Sequence, residues 1–500
     1  MMIEDDRPPS SWRFAAALTA AFALLTLPRL LRHELWRDEA WLWLVVSENP
    51  SLRDLFAVLA RSGQGYLFPL LCHWTRQLFA APVAMQLLHL AIASAGVFVF
   101  ARHAPAGRLA KVLFVLGYFP FYEYAVLSRH YALGMLLLWL ACAAVRAGRE
   151  VVLAAALALL CQTTVYGYIL AVAVAAGWWI ESRGGRAAPR RPAARLAALG
   201  LALLGACAGL IQLVPSAGTS FAPAWRLGWD RRLALETLGL PWRALAPLPA
   251  SVVQFWNSNV LDGRPAVETM LGASSLLLAL AILWPRRSAL VTFLVGACGL
   301  LAFSYVKLFG ALRHQGHFWL LLVAALWLGG GVPAGSSRRS WRTVALAGMA
   351  FCQVAAALYA SLVDWRQPFS NAVAAAVIVR AAGLEDQLLL GHREPPAASV
   401  ALALGRPLYS PSRKVFTTHP DWGPQQHEMG AAELRCAARE LAAGRGRDVV
   451  LVLNHPAAAW PEIEAVGVAQ GAIVASEDFW IYRLRLAGLA ATEAAAGCAP

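Results

Sequence analysis

The sequence predicts a polytopic α-helical membrane protein that ends in a small α/β domain. Of its 500 residues, 59% are hydrophobic and only 14% are charged, and the mean hydropathy is +0.54. Several apolar runs reach or approach the length of about 20 residues that crosses a bilayer as a helix. Near residue 363 the character changes, because polar and turn-forming residues become frequent. We therefore expect a membrane domain over 1–362 and an α/β domain over 363–500.

Eleven apolar segments are predicted to span the membrane. The first is too long for a signal peptide and has no small-residue cleavage site, so we expect it to remain as an anchor. Three segments are short for a full crossing and require tilt or local thinning of the bilayer. The predicted spans are about 14–31, 83–101, 111–125, 131–146, 151–166, 168–181, 196–214, 268–284, 289–309, 316–331 and 344–362.

Loop charge orients these spans. Five short loops carry Arg and Lys with almost no acidic residues, which places them in the cytoplasm by the positive-inside rule. The loop that contains Asp38, the loop 215–267 and the whole tail then lie outside. The loop 215–267 holds five Arg of its own, but long loops follow the rule poorly. The five cytoplasmic loops are 102–111, 146–150, 183–195, 285–288 and 332–343.

The apolar run Tyr66–Phe79 is predicted to lie on the membrane rather than to cross it. It is short and contains Pro69, His73 and Arg76. If it crossed, every later loop would change sides and the Arg-rich loops would face outward. We therefore predict a helix at the outer interface, and a short true span is the alternative.

The formal net charge of +14 does not indicate nucleic-acid binding. Most of the basic residues are Arg in short loops, where topology and contact with lipid headgroups explain them. The eight cysteines form no C-x-x-C pair and no zinc-like spacing. Six lie in or beside apolar segments as small hydrophobic residues, whereas Cys436 and Cys498 could form a disulfide in the tail. The tail histidines lack ligand-like spacing and receive no role: His392, His419, His427 and His455.

The tail shows alternating helical and strand patterns, which predict the small α/β domain. Ser370 is expected to cap an Ala/Val-rich helix. A strand over Gln387–Leu390, a turn-rich stretch and a helix over Ala431–Ala443 follow. Strands over Asp448–Leu453 and Phe479–Leu484 complete the domain, which contains no glycine-rich nucleotide fingerprint.

Asp38 and Glu39 are the first candidate site residues, because they directly follow the first apolar segment. One positioned carboxylate can accept the proton of an attacking hydroxyl. A second can support it or bind a divalent cation such as Mg²⁺ or Mn²⁺. Adjacent residues on a helix diverge by about 100°, so one carboxylate would face a cavity and the other would support it. The alternative is that the pair only caps an interfacial helix.

Glu123, Arg129, His130 and Tyr131 form the second candidate segment, between two apolar runs and on the same predicted side. Ionisable groups at membrane depth are costly and are usually paired or functional. The planar fork of Arg129 suits a phosphate, because it donates bidentate hydrogen bonds. The alternative is a structural ion pair between Glu123 and Arg129.

Lys307, Arg313 and His314 form the third segment, again between two predicted spans on the outer side. A lipid phosphate gains negative charge as its bond to the sugar breaks. A fixed cation beside it therefore stabilises the transition state more than the ground state. The alternative is an ordinary pair of snorkelling cations that contact bulk phospholipid.

These three segments resemble motifs of the GT-C superfamily of membrane glycosyltransferases, particularly the branch of protein O-mannosyltransferases and the aminoarabinose transferases of lipid A. In that family an acidic motif follows the first span, and its Asp acts in catalysis. The resemblance covers about residues 10–360. The matching stretches are Trp36-Arg37-Asp38-Glu39-Ala40-Trp41, Ser128-Arg129-His130-Tyr131-Ala132-Leu133 and the loop from Lys307 to Arg313.

The resemblance implies an enzyme of the bacterial cytoplasmic membrane that takes a sugar from a polyprenyl-phosphate donor. It implies transfer with inversion, at the outer face, to a hydroxyl of a glycan, lipid or protein. Asp38 would be the base, with Glu39 supporting it or binding a cation. The tail has no Trp-Trp-Asp-type motif, since Trp365 stands alone, which argues against N-glycosylation. The alternative function is a transporter or flippase of lipid-linked sugars, although no internal repeat typical of transporters is visible.

Substituted cysteines test the predicted orientation. In a background without native cysteines, Asp38→Cys should react with a membrane-impermeant maleimide from outside. Arg190→Cys should react only after permeabilisation, because the two positions are predicted to lie on opposite sides. Labelling of both positions from the same side would reject the eleven-span topology.

Overall fold

The computed structural model describes residues 10–183, 192–220, 224–250, 252–284, 286–331, 341–457 and 460–488. This part of the chain is mostly helical and divides into two compact units, which we call the helical unit and the sheet unit. The predicted basic loops 183–195 and 332–343 fall largely outside the described residues. The helical unit comprises Met1–Leu31, Gly63–Val214 and Pro223–Leu362, and the sheet unit comprises Arg32–Ser62, Pro215–Ala222 and Val363–Pro500.

The secondary-structure elements are numbered in chain order. The helices before the tail are α1 (Trp12–Arg32), α2 (Arg37–Glu48), α3 (Leu52–Leu59), α4 (Leu67–Leu78), α5 (Val83–His103), α6 (Arg108–Val115), α7 (Tyr131–Arg146), α8 (Glu150–Leu160), α9 (Val165–Arg183), α10 (Pro192–Leu213), α11 (Arg231–Leu245), α12 (Pro265–Leu283), α13 (Arg287–Val306), α14 (Leu312–Gln315), α15 (His317–Leu328) and α16 (Trp341–Arg366). The tail follows as α17 (Ala372–Ala381), β1 (Leu388–His392), α18 (Glu394–Leu404), β2 (Leu408–Ser410), β3 (Val415–Thr417), α19 (Ala431–Arg445), β4 (Val449–Leu453), β5 (Ile463–Ala469) and β6 (Phe479–Leu484).

Seven helices among the described residues are long and apolar enough to cross a membrane. This confirms the predicted class of membrane-length apolar helices, whereas the count of eleven spans stays a prediction. Two other predicted spans, 131–146 and 151–166, correspond to the shorter apolar helices α7 and α8. The seven are Trp12–Arg32, Val83–His103, Val165–Ser182, Leu196–Leu213, Pro265–Leu283, Arg287–Val306 and Trp341–Arg366.

The segment 111–125 is not one continuous helix, which corrects the prediction of a single span there. Helix α6 ends at Val115, and a π-helical turn over Phe119–Glu123 follows. Pro120 has no amide hydrogen to continue an α-helical ladder. Gly117 packs so closely that a Cβ would lie 3.2 Å from the Cβ of Gln353. Hydropathy alone registers neither constraint.

The predicted interfacial segment Tyr66–Phe79 does form a helix, α4. Phe68, Cys72 and His73 are buried, whereas Trp74 and Leu78 are exposed. The helix therefore packs along one face and presents large apolar side chains on another. Its location at the outer interface stays a prediction.

The sheet unit contains a six-stranded mixed sheet in the order β3-β2-β1-β4-β6-β5. Strand β1 pairs in parallel with β2 and β4, while the other pairs are antiparallel. Val379 of α17 and Val400 of α18 pack on one face. Leu434 and Leu441 of α19 pack on the other face. The central strands β1 and β4 are therefore buried on both sides, and the sheet confirms a small C-terminal sheet domain.

Several predicted tail elements match the structure closely, and others were missed. Strand β6 begins and ends where it was predicted, and α19 is two residues longer than predicted. The capping residue of α17 is Asn371 rather than Ser370, although the Ser370 hydroxyl accepts a hydrogen bond from the Ala372 amide at 3.1 Å. The sequence reading missed α18, β2, β3 and β5. Strands of three residues leave too short an alternation to detect.

The cysteines agree in part with their predicted roles. The six in or beside apolar segments are free thiols. Cys436 is disulfide-bonded. Its predicted partner, Cys498, lies outside the described residues, so that pairing stays a prediction.

Helix α10 packs tightly on α8, and two glycines allow a test of this contact. A Cβ at Gly205 would lie 2.3 Å from the Cβ of Ala158, whereas nothing lies within 4 Å of one at Gly200. Gly205→Ala should lower the thermal midpoint of the detergent-solubilised protein, because overpacking costs about 1–3 kcal/mol. Gly200→Ala is the matched control and should raise it slightly, since Ala favours a helix by about 1 kcal/mol. Equal shifts for both variants would contradict this packing.

Candidate functional site

The acidic pair lies in the first turn of α2, within the sheet unit. Asp38 and Glu39 are the second and third residues of this helix. The positive end of the helix dipole stabilises carboxylates in a first turn. A Glu39 carboxylate oxygen also accepts a hydrogen bond from the Trp36 amide at 3.4 Å. Glu39 therefore does help to cap α2, as the alternative interpretation of the acidic pair predicted. The two side chains diverge as predicted, because Glu39 is fully buried while Asp38 is only partly so.

A buried histidine links Glu39 to a second carboxylate. The His33 Nε2 atom lies 3.2 Å from Glu39 Oε2, and its Nδ1 atom lies 3.1 Å from Asp364 Oδ2. The Phe369 ring packs against the imidazole, with ring centroids 4.5 Å apart. Since each ring nitrogen faces a carboxylate oxygen, both must carry protons to donate.

The charge of His33 follows from the balance of two effects. Burial alone would lower its pKa, but the carboxylates of Asp364 and Glu39 outweigh burial and raise the pKa to about 10. The imidazole is therefore a cation at neutral pH. Sequence reasoning missed His33 and Asp364, because 331 positions separate them.

The residue before the acidic pair is also held within the sheet unit. The Arg37 amide donates to Glu477 Oε1 at 3.3 Å, and its guanidinium donates to the Ser476 hydroxyl at 2.9 Å. The hydroxyls of Ser370 and Ser399 donate to Glu477 Oε2 at 2.9 and 2.8 Å. Burial raises the pKa of Glu477 to about 7, although Arg37 and the two hydroxyls oppose this effect. The start of α2 is thus fixed by two separate networks.

In the helical unit, Glu123 is buried and accepts hydrogen bonds from two neutral donors. The Tyr118 hydroxyl donates to Oε2 at 2.9 Å. The Trp256 indole donates to the two oxygens at 3.2 and 3.1 Å. The alternative of an ion pair between Glu123 and Arg129 stays a prediction. The Arg129 guanidinium donates a hydrogen bond to Gln64 Oε1 at 3.4 Å.

The second and third candidate segments meet in this unit. The guanidinium of Arg313 lies 5.0 Å from the centroid of the Trp256 ring. The Tyr124 hydroxyl donates to the Arg313 carbonyl at 2.6 Å. The Tyr131 and His314 rings lie edge to face, with centroids 6.0 Å apart. Residues from two distant predicted segments therefore share one cluster.

Further aromatic side chains complete the cluster. The Tyr166 ring stacks on the His314 and His317 rings, with centroids 5.0 and 4.9 Å apart. The ring centroids of His130 and Tyr131 lie 4.4 Å apart. Sequence reasoning missed Tyr166, Trp256 and the packing role of His317. No motif signals these residues, since their contacts come from different helices.

Lys307 makes a different contact from the other predicted cations. Its ammonium lies 4.7 Å from the centroid of the Trp225 ring. Asp38 and Glu39 belong to the sheet unit, whereas Lys307, Arg313 and the Glu123 cluster belong to the helical unit. The predicted meeting of all three segments in one pocket stays a prediction.

Comparison of the chain with protein-family models, curated proteins and solved structures finds no match. Within the described ranges, no group of three or more His, Cys, Asp or Glu side chains could hold a metal ion.

The charged His33 makes stability depend on pH in a defined direction. Its folded pKa of about 10 lies above the unfolded value of about 6.5. The stabilisation is complete below pH 6.5 and is lost as the pH rises through 10. His33→Gln keeps a polar side chain but cannot carry the charge. The thermal midpoint of the parent protein should exceed that of His33→Gln most at pH 6, and the gap should narrow toward pH 10. Parallel melting curves across this range would argue against a buried imidazolium.

Proposed function

We propose that this protein is an integral membrane glycosyltransferase. It transfers a sugar from a polyprenyl-phosphate carrier to a hydroxyl of a glycan, lipid or protein at the outer face of the bacterial cytoplasmic membrane. The observation that carries the proposal is the first turn of α2. There a fully buried Glu39 is fixed by the His33 bridge, while its neighbour Asp38 is only partly buried.

In this proposal Asp38 is the general base. It accepts the proton of the acceptor hydroxyl as the hydroxyl oxygen bonds to the anomeric carbon. The bond between that carbon and the phosphate oxygen breaks, and its electron pair leaves with the polyprenyl phosphate. Attack opposite the leaving phosphate inverts the anomeric configuration. Glu39 positions the turn through His33, so that Asp38 approaches the acceptor in one orientation.

The cations of the helical unit are assigned to the carrier phosphate. Arg313 and Lys307 would stabilise the charge that develops on the leaving phosphate, with Arg129, His130, Tyr131 and His314 lining the pocket. Glu123 holds the indole of Trp256, whose ring lies against the Arg313 guanidinium. The lipid tail of the carrier can remain in the bilayer while its headgroup meets the acceptor.

Glu39 is a poor ligand for a divalent cation such as Mg²⁺ or Mn²⁺. Its Oε2 atom faces the charged imidazole of His33 at 3.2 Å. A second cation at that oxygen would be repelled by the first. The described residues around Asp38 do not form a metal site, so the proposal assigns no step to a metal.

The sheet unit is proposed to lie outside the cytoplasm. The predicted positive-inside asymmetry supports this side. The disulfide at Cys436 also supports it, because disulfides persist in the bacterial periplasm and are rare in the cytosol. An exported domain beside the acidic motif suits an acceptor that is met outside the cell membrane.

Transfer from radiolabelled polyprenyl-phosphate hexoses to envelope acceptors tests the proposal. Asp38→Asn should slow transfer by about 100-fold or more, because general-base catalysis contributes about 10² to 10⁴ in rate. Asp54→Asn is the matched control, since Asp54 is exposed and its carboxylate contacts only the nearby Ser51 hydroxyl among its described hydrogen bonds. It should transfer at the parent rate.

Two outcomes of this assay would count against the proposal. If Asp38→Asn transfers as well as the parent, Asp38 is not the base. If the purified protein moves labelled carrier across liposomes but attaches no sugar to any acceptor, the transporter function is correct instead.

A further inference from the structure

The sheet unit has a topological switch point between β1 and β4. From β1 the chain passes through α18 to β2 on one side, and later through α19 to β4 on the other. Helix α18 covers one face of the sheet and α19 covers the opposite face. In such sheets a crevice opens outside the carboxyl ends of the two parallel strands, and ligands bind there.

Polar side chains from both strands meet at this crevice. His392 is the last residue of β1, and His455 lies just beyond β4. The His392 Nδ1 atom is 3.1 Å from His455 Nε2. The Arg393 amide donates to the Asn454 side-chain oxygen at 3.3 Å. We call His392, Arg393, Asn454 and His455 the crevice residues.

One crevice atom lacks the hydrogen bond that its burial demands. His392 is 5% exposed, and its Nε2 atom is buried with no hydrogen-bond partner among the described residues. Burial, together with His455 and Arg393, lowers the pKa of His392 to about 4, so the ring is neutral at pH 7. A buried polar atom without a partner costs about 1–3 kcal/mol, and a ligand hydroxyl would remove this cost.

Two guanidinium groups lie at the crevice and could attract an anion. Arg393 is exposed and pairs with the exposed Glu428, and such surface pairs are weak enough for a ligand anion to displace. The guanidinium of Arg37 lies at the same edge, because it donates to the Ser476 hydroxyl while the Asn454 side chain donates to the Ser476 carbonyl at 3.3 Å.

The crevice lacks the features that hold a nucleotide pyrophosphate. Helix α18 begins Glu394-Pro395-Pro396, and proline offers no amide hydrogen to a phosphate. No glycine-rich turn follows β1. A ligand with one anionic group and several hydroxyls would match the guanidinium of Arg393 and the imidazole of His392.

We propose that the crevice residues form a binding site for an anionic sugar, in which Arg393 holds the carboxylate or phosphate and His392 hydrogen-bonds a ring hydroxyl. The crevice residues do not include Asp38 or Glu39. It does not depend on glycosyl transfer, since a sheet unit of any membrane protein could use it to bind glycans.

Ligand-observed NMR on the full-length protein in nanodiscs tests the site, with glucuronate, glucose 6-phosphate, glucose and inorganic phosphate as probes. Glucuronate or glucose 6-phosphate should bind saturably and compete with each other. Glucose and phosphate alone should each bind more weakly, because each offers only half of the recognised chemistry. Comparison of the two anionic sugars identifies whether the natural anion is a carboxylate or a phosphate.

Variants separate this site from adventitious binding. Arg393→Gln should weaken binding of the anionic sugar by about tenfold or more, since hydrogen bonds between charged groups are strong. His392→Asn should weaken it by less, about threefold to tenfold, because the neutral imidazole loses one hydrogen bond to a neutral hydroxyl. Arg485→Gln is the matched control. Arg485 is also exposed and paired with a surface glutamate, Glu464, but it follows β6, which runs antiparallel to β4, and so lies at the opposite edge.

The result that overturns the proposal is equally concrete. Either no anionic sugar binds saturably, or Arg485→Gln weakens binding as much as Arg393→Gln. Arg393→Lys keeps the positive charge but loses the planar fork of the guanidinium, and it controls for misfolding. It should bind the anionic sugar with an affinity between those of the parent and Arg393→Gln. A thermal midpoint like that of the parent shows that Arg393→Lys is folded. If this folded variant binds the anionic sugar as tightly as Arg485→Gln does, the guanidinium of Arg393 does not hold the anion.

Discussion

The arrangement around the acidic motif depends on one charged imidazole between two carboxylates. Three buried ionisable groups are costly to desolvate, and they persist only where their geometry is good and their remaining hydrogen bonds are satisfied. His33 meets both conditions, because its two ring nitrogens face Glu39 and Asp364 at 3.2 and 3.1 Å. His33 lies in the loop between α1 and α2 and Asp364 lies near the end of α16, so the bridge fixes that loop to the end of α16.

The bridge gives the two adjacent acidic residues different surroundings. Successive residues of a helix point about 100° apart, so Arg37, Asp38 and Glu39 leave the first turn of α2 in three directions. Arg37 reaches Ser476, and Glu39 reaches His33. Because its neighbours are held on both sides, the partly buried Asp38 is presented by a turn that cannot easily rotate. A catalytic base gains from such fixed support.

The sequence predicted what local patterns can encode and missed what distant contacts decide. Hydropathy located the membrane-length helices, and alternation placed β6 at its observed bounds. Hydropathy did not detect the interruption at 111–125, where α6 ends at Val115 and Pro120 has no amide hydrogen to continue the helix. The acidic motif stood out because carboxylates beside a span are unusual. Its partner Asp364 did not, since no spacing rule connects residues 331 positions apart.

The Trp256 ring connects Glu123 to the guanidinium of Arg313. Its oxygens accept the indole hydrogen of Trp256, and that hydrogen bond shifts electron density toward the ring. The Arg313 guanidinium rests on the same ring, where added electron density strengthens the cation–π attraction. An aromatic face holds a guanidinium without occupying the donors in its plane, and those in-plane donors are what recognise a phosphate.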